Sequence, residues 1–438
     1  MRDIFVTLII FGSLRFIFWR PYIGILVWTW LGFMNPHRLT WGFAYSMPFA
    51  FIVAIVTLLS LLVSPEPKKI PWTRESIVLL IFVIWMFITT YFSVFPDIAW
   101  PHMEKVAKIQ LMVFVTLMLM QSKERLNLLV WVMTLSLAFY GVKGGIFTIT
   151  HGGVYNVMGP AQSFIGGNNE MALALIMTIP LLRYLQLSAA RVWVRHAMLA
   201  VLLLTAIAAI GSQSRGALVG MLAMGAFFWM KSRNKFSTTI IAAAAVALIL
   251  SIMPQQWFDR IDTMKTYEQD ASAMGRINAW HMAFNLAKDK PFLGAGFDAF
   301  QPGMLAVYAP DPEDVHDSHS VYFEVMAEHG FIGLGLFLML GLMTWRTASW
   351  VIKRARGDPE ARWAADLAAM VQVSLVGYAS AGAFLGLAYF DFYYTLIAVV
   401  LLCKSVLVSA EVTRKADISG DNAQRSFDPS RDMTRRVG

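Results

Sequence analysis

The sequence predicts an all-α polytopic membrane protein with about 12 transmembrane helices and one large loop outside the bilayer. Of its 438 residues, 57% are hydrophobic and 15% are charged, and the mean hydropathy is +0.57. A soluble chain has too little interior to bury that much apolar surface, so lipid is the expected solvent. Charge-free windows close to the roughly 20 residues that a spanning helix needs lie at 42–65, 76–96, 197–214, 236–258 and 367–390.

The first apolar run, "MRDIFVTLIIFGSLRFIFWRP", is predicted to be a membrane helix because no small-residue cleavage site follows it. Arg20 and Pro21 separate it from a second short run, so residues 1–34 are expected to cross the bilayer once or twice. The apolar segments lie at 4–19, 21–34, 44–63, 76–94, 106–120, 126–148, 168–187, 196–212, 215–230, 236–253, 329–349, 364–386 and 391–409.

The distribution of basic residues predicts which connections face the cytoplasm. Short loops rich in Lys and Arg stay on that side, and such loops lie at 64–75, 121–125, 188–195, 231–235 and 350–362. The net charge of the chain is +8, yet residues 254–328 hold five Lys/Arg against twelve Asp/Glu. The positive charge is therefore a topology signal, and no nucleic-acid partner is expected.

Four regions follow from this pattern. Residues 1–253 are predicted to form an N-terminal transmembrane bundle, 254–328 a large periplasmic loop, and 329–409 the C-terminal transmembrane helices. The polar tail 410–438 is predicted to be cytoplasmic and disordered. Within the loop, "GRINAWHMAFNLAKD" has apolar residues at helical spacing and predicts an amphipathic helix.

The stretch "HDSHSVYFEVMAEHGFIG", residues 316–333, places His, Asp and Glu side chains just before an apolar run. A neutral imidazole at the membrane boundary suits general-base chemistry because its pKa lies near the operating pH. If residues 318–328 are helical, His319, Tyr322 and Phe323 share one face. The alternative is a structural His319 that caps a helix or bonds a backbone carbonyl.

The pattern H-[NSQ]-x9-G-x2-[GTY] in this stretch resembles that of bacterial O-antigen ligases, within the wider O-antigen ligase and polymerase family. His319, Ser320, Gly330 and Gly333 fit it without a gap. The N-terminal "MNPHRLTWGFA" is also similar to the exosortase-associated O-glycosylation ligases. The resemblance covers most of the chain, as many helices followed by one large loop that ends in the His motif.

The resemblance implies an inverting glycosyltransferase of the polytopic GT-C kind, independent of metal, in the bacterial inner membrane. Its donor would be a glycan on undecaprenyl pyrophosphate, and its acceptor a sugar hydroxyl of lipid A–core. The loop histidine, here His319, would be the catalytic base on the periplasmic side. Two arginines would hold the pyrophosphate, and Arg215 in "SRGA" and Arg276 in "MGRINAW" stand at similar places.

Each arginine also has an ordinary interpretation. Arg215 lies between two apolar segments on the non-cytoplasmic side, where a charge is costly unless used, but it could be an interfacial residue that snorkels. Arg276 could be a solvated charge or the ion-pair partner of Asp270. Guanidinium groups bind phosphate oxygens bidentately and stay charged at any relevant pH, which suits a leaving pyrophosphate.

Further candidates for substrate binding are Asn169, Tyr322 and His316. Asn169 lies in "IGGNNEM", where Asn and Glu residues also suit the start of a helix. Tyr322 could stack on a sugar or simply pack. His316 lies three residues before His319, but neither HExxH nor clustered Cys supports a metal, and no cofactor is expected.

Rival functions remain open at this stage. An O-antigen polymerase would use the same donor with a second lipid-linked glycan as acceptor, and a protein O-oligosaccharyltransferase would glycosylate a protein. A polytopic transporter or flippase belongs to a different class. Transporters tend to show inverted repeats and broken helices at the midplane, and no such halves are visible in the sequence.

Overall fold

The computed structural model describes residues 1–231, 235, 236, 239 and 271–426, and within them the regular structure is entirely helical. The α-helices are α1 (Arg2–Trp19), α2 (Pro21–Met34), α3 (Phe49–Val63), α4 (Arg74–Tyr91), α5 (Pro96–Leu119), α6 (Lys123–Thr150), α7 (Asn168–Ser188), α8 (Val192–Gly211), α9 (Arg215–Lys231), α10 (Ala271–Asp289), α11 (Pro302–Tyr308), α12 (Val321–Arg354), α13 (Arg362–Ala381) and α14 (Asp391–Ser426). Short 3-10 helices occupy Pro36–Leu39, Phe43–Ser46 and Gly382–Phe384.

Among the described residues, seven helices are long and apolar enough to cross a membrane, namely α4, α6, α7, α8, α12, α13 and α14. Helices α2, α3 and α9 are apolar but shorter. The chain is therefore a polytopic helical membrane protein, as predicted. The count of about 12 spans stays a prediction, and almost all of the segment 236–253 lies outside the described residues.

The connections fall at two ends of the helical bundle. At one end, which we call the basic end (connections 64–73, 120–122, 189–191 and 355–361), Arg125 pairs with Glu66 through nitrogen–oxygen distances of 2.7 and 3.0 Å. At the other, which we call the loop end (connections 35–48, 92–95, 151–167, 212–214, 290–320 and 382–390), Asn168 Nδ2 donates to the Ser212 carbonyl at 2.9 Å. Which end faces the cytoplasm stays a prediction from the basic connections.

Residues 1–34 form two antiparallel helices. Asp3 Oδ1 accepts hydrogen bonds from the backbone N–H groups of Gly42 and Ala44 at the loop end. Ser60 Oγ, near the basic end of α3, donates to the carbonyls of Ile17 and Phe18. Helix α1 therefore runs from the loop end to the basic end, and α2 returns.

Helix α12 is kinked at Gly330, whose φ of 66° and ψ of −170° break the helical hydrogen bonding. Three carbonyls are thereby released from the helix and find partners elsewhere. Ala327 O accepts from Ala295 N and Glu328 O from Gly296 N, both at 2.9 Å. His329 O accepts from Trp85 Nε1 at 3.0 Å. The kink thus docks the 291–296 segment onto α12 just beyond the candidate site.

Two boundaries differ from the sequence predictions. The expected helix over 318–328 begins only at Val321, so His319 precedes α12 and shares no helical face with Tyr322. Helix α14 continues to Ser426, where disorder was predicted from about residue 410, and residues 427–438 lie outside the described part of the chain. The amphipathic helix predicted in the loop is confirmed as α10.

Candidate functional site

His319 lies at the junction between the loop and α12, in a backbone conformation that is uncommon for residues other than glycine. Its φ is 42°, in the left-handed region that costs a non-glycine residue about 1 kcal/mol or more. Neighbouring bonds hold this geometry: Trp280 Nε1 donates to the Ser318 carbonyl at 2.8 Å, and Ser318 N donates to Asp317 Oδ1 at 2.7 Å. Ser320 N donates to Ser318 Oγ at 3.3 Å. A backbone outlier supported in this way is typical of functional sites.

Burial lowers the pKa of the half-buried His319 imidazole below its usual value. The negative charges of Asp317 and Glu170 oppose this shift, while Arg276 and His316 reinforce it. The imidazole is therefore favoured in its neutral form, which can accept a proton. These interactions bring residues from α7, α10 and the 309–320 loop to one place.

His316 packs against the start of α10, next to Arg276. A β-carbon added at Gly275 would lie 2.6 Å from His316 Nδ1, so the imidazole packs directly against the residue before Arg276. The same Nδ1 lies 2.5 Å from Asp314 Oδ1. Asn278 fastens the loop to α10, because its Nδ2 donates to the carbonyls of Asp311 and Asp314. Asp270, the alternative ion-pair partner of Arg276, lies outside the described residues.

Arg215 is the first residue of α9. Ser214 caps this helix, since its Oγ accepts from Ala217 N at 3.3 Å. A positive side chain opposes the helix dipole there, whereas a bound anion would be favoured by both the dipole and the guanidinium. Arg215 therefore lies at the capped start of α9, at the loop end of the bundle.

The 382–390 connection lies between Arg215 and His319. A β-carbon at Gly216 would lie 3.2 Å from Leu385 Cγ, and one at Gly386 would lie 3.7 Å from His319 Cα. Two adjacent residues of this short connection, Leu385 and Gly386, therefore link the start of α9 to the histidine. Asn169, half-buried in the first turn of α7, joins this neighbourhood through the Asn168–Ser212 bond.

The side chains of Tyr322 and Trp280 contact other residues of the chain. Tyr322 Oη donates to the Ala379 carbonyl at 2.7 Å, which ties the first turn of α12 to the end of α13. Trp280 stacks on Phe323 with ring centroids 5.1 Å apart. Trp280 and Phe323 position the His319 segment, and Tyr322 leaves only its ring face for a ligand.

Sequence reasoning missed part of this site. Glu170 was assigned only to the helix dipole, yet its charge acts on His319 across a long sequence separation. Glu328 was not considered, although it is buried, accepts from Asp298 N through Oε1 at 2.7 Å, and accepts from Tyr389 Oη through Oε2 at 2.5 Å. Glu324 accepts a hydrogen bond from Ala388 N through Oε2 at 3.2 Å. The signal in the sequence was the repeated acid in "FEVMAEH", inside an otherwise apolar helix.

Within the described residues, no group of three or more His, Cys, Asp or Glu side chains is arranged to hold a metal ion. His316 and His319 lie close together, but their carboxylate neighbours do not complete a ligand set. The site is thus built from an imidazole, carboxylates and guanidinium groups.

Two family models match parts of the chain. Residues 199–338 match the family model described as O-antigen ligase. That match contains Arg215, Arg276, His319 and both motif glycines. Residues 1–190 match the model of a family of unknown function (DUF5935). No curated protein matches the chain.

Proposed function

Since residues 199–338 place this chain in the O-antigen ligase and polymerase family, we propose that it is an inverting glycosyltransferase of the inner membrane, with its site on the periplasmic side. The donor is a glycan on undecaprenyl pyrophosphate. The acceptor is a sugar hydroxyl of lipid A–core. The reaction uses the residues around His319 and requires no metal.

The imidazole of His319 removes the proton from the acceptor hydroxyl. The hydroxyl oxygen forms a bond to the anomeric carbon from the face opposite the leaving group, and the bond from that carbon to the pyrophosphate oxygen breaks. The configuration at the anomeric carbon is inverted, and undecaprenyl pyrophosphate departs with both electrons of the broken bond. General-base assistance of this kind contributes roughly 10²–10⁴-fold to a rate.

The leaving pyrophosphate gains negative charge as its bond breaks. Arg215 at the capped start of α9 and Arg276 at the start of α10 stabilise that charge. Donors already oriented for the transition state contribute about 3 kcal/mol each, by analogy with oxyanion-hole groups. Asn169, His316 and the ring of Tyr322 line the approach of the sugar.

The observation that carries this proposal is the backbone of His319. An imidazole held in a left-handed conformation by Trp280, Ser318 and Asp317, with its neutral form favoured by burial, is suited to accept a proton at a fixed position. The O-antigen ligase match at residues 199–338 supports a glycosyl transfer, a reaction in which such a base can act.

The test is transfer in vitro with purified protein, donor and lipid A–core. His319→Ala, Arg215→Ala and Arg276→Ala should each abolish transfer while the protein stays folded by thermal melting. EDTA should leave wild-type transfer unchanged. Full transfer by any one of these variants would remove that residue from the mechanism, and loss of activity in EDTA would overturn the metal-independent reaction.

The acceptor is tested in the same assay. Parallel reactions offer lipid A–core, the lipid-linked donor alone, or a pilin-like protein. Transfer to lipid A–core supports the ligase, chain extension of the donor identifies a polymerase, and glycosylated protein identifies an O-oligosaccharyltransferase. Movement of the donor across proteoliposomes without any bond transfer would instead favour a flippase.

A further inference from the structure

A cavity lies at the loop end, separate from the residues around His319. Its volume is about 620 Å³, and it opens between the 35–48 connection, α3, α5, the 162–164 segment and the start of α14. None of His319, Arg215 and Arg276 lines it. Apart from Asp391, its lining belongs to residues 1–190, the region that matches a family of unknown function.

The mouth of this cavity carries three cations. Arg38 Nη1 donates to Gln162 Oε1 at 2.8 Å, which spans the opening from one connection to another. Lys105 and Lys108 stand one helical turn apart on α5 and line the same space. Two carboxylates face them, Glu104 and the buried Asp391. The lining is therefore net positive.

Lys105 is the cation placed best for a ligand. Its side chain is exposed to the cavity, and its Nζ lies 3.4 Å from the centroid of the Phe164 ring. Asp391 and Asp298 attract it electrostatically. Among the residues that the structure describes, however, no carboxylate oxygen pairs with this Nζ, whereas Lys108 Nζ lies 2.5 Å from Glu104 Oε1. A charge held beside an aromatic ring without an ion-pair partner suits an anionic ligand.

The other wall of the cavity is apolar and open to the outside of the bundle. Phe51 and Ile55 on α3 line it and are exposed, as is Leu111 on α5. Exposed apolar side chains such as these, on a polytopic membrane protein, suit contact with hydrocarbon chains. A ligand that satisfies both walls is amphipathic, with an anionic head at the cations and a hydrocarbon chain along α3 and α5.

We propose that this cavity binds a membrane lipid with a phosphate headgroup, with the phosphate held by Arg38, Lys105 and Lys108. The site is distinct from the pyrophosphate site around Arg215 and Arg276. It lies at the same end of the bundle, so the headgroup sits at the same depth as the proposed reaction. The cavity therefore gives the N-terminal region a binding role of its own.

Native mass spectrometry of the full chain in detergent tests this proposal. The probes are undecaprenyl phosphate, lipid A and phosphatidylglycerol, each titrated against an uncharged polyprenol or diacylglycerol. The variant Arg38→Gln/Lys105→Gln/Lys108→Gln should retain its phosphate lipid roughly 100-fold less tightly, by the strength of three cations at a membrane surface. Lys105→Gln alone should lose roughly fivefold.

The matched control, Arg354→Gln/Arg362→Gln/Arg414→Gln, removes the same charge from the basic end and should bind as the wild type does. His319→Asn should also bind normally, which separates this site from the proposed reaction. Whichever of the three lipids responds to the cavity variant identifies the source of the headgroup. Equal retention of all three by wild type and the cavity variant, or equal loss in the control, would overturn the site.

Discussion

The two ends of the helical bundle are built differently. At the basic end, charged side chains pair on the surface, as Arg354 does with Glu411 and Arg414 with Asp358. At the loop end, polar groups are buried and the backbone is bent into costly conformations. In the described part of the chain, the non-glycine residues with positive φ all lie in loop-end connections: Asn35, Gln162, Gln213, Asp298 and His319.

This difference between the two ends indicates where substitutions should matter most. Exposed ion pairs contribute little to stability, and short basic loops of the kind found at that end are predicted to orient a chain in the membrane. Left-handed non-glycine residues persist only where surrounding contacts over-determine them. The backbone of the loop end is therefore the more tightly constrained. We expect substitutions there to change activity or stability more than equivalent substitutions at the basic end.

The largest expected effect is the loss of the base. His319→Asn keeps a residue type that tolerates positive φ, so the backbone should be retained while the proton acceptor is removed. Transfer should fall by roughly 10²–10⁴-fold with an unchanged melting temperature. The paired control is Arg414→Gln at the basic end, which should transfer as the wild type does; similar rates in both variants would contradict the comparison.

The second expected effect concerns the kink in α12. A β-carbon at Gly330 would lie 2.2 Å from the Phe292 carbonyl oxygen, and the φ of 66° disfavours any side chain. Gly330→Ala should destabilise the protein by at least about 1–3 kcal/mol, measured by thermal or denaturant unfolding in detergent. Gly335→Ala, in the same helix with no atom within 4 Å of its added β-carbon, should leave stability intact or raise it.

A smaller effect concerns the pH dependence of transfer. A base must be neutral to act, so the rate should fall as pH drops through the lowered pKa of His319, with an acid limb below about 6.5. Glu170→Gln removes a charge that raises this pKa, so the limb should move to lower pH. Arg276→Gln removes a charge that lowers it, so the limb of its residual activity should move to higher pH.

Those opposite shifts are measured from pH profiles of kcat/KM. Shifts in the same direction, or none, would show that the two residues do not act on His319 electrostatically. A uniform drop in rate without a shift would assign them to substrate binding alone.

The smallest effect is expected at the basic end. Arg354→Gln breaks an exposed pair with Glu411, in which the charges are solvated. Its melting temperature and transfer rate should match those of the wild type within error, and high salt should erase any difference. A loss of activity here would show that the two ends are energetically coupled.

Much of this architecture could be predicted from local pattern. Apolar runs gave most helices, and apolar residues at helical spacing gave α10. The start of α12 was placed too early because the helical spacing of "HSVYFEV" continues through His319. Nothing local shows that Trp280, 38 residues before Ser318, bonds the Ser318 carbonyl and bends this segment away from the helix.

The sequence predicts only part of the candidate site. Motif resemblance predicts His319, Arg215 and Arg276 as site residues, but no sequence rule relates Glu170 to a histidine so distant in the chain. The hydrogen bonds of the buried Glu328 with Tyr389 and Asp298 are likewise not predictable from the sequence. These contacts depend on how α7, α12 and the 382–390 connection pack.

By itself, the sequence determined the solvent, the helices and the orientation signals, because hydrophobicity and charge act residue by residue along the chain. Only the tertiary structure decided which polar groups meet, how α12 bends at Gly330 and why His319 has a left-handed backbone. The physical reason is that hydrogen bonding and electrostatics act through space between groups that are far apart in sequence, and packing alone sets those distances.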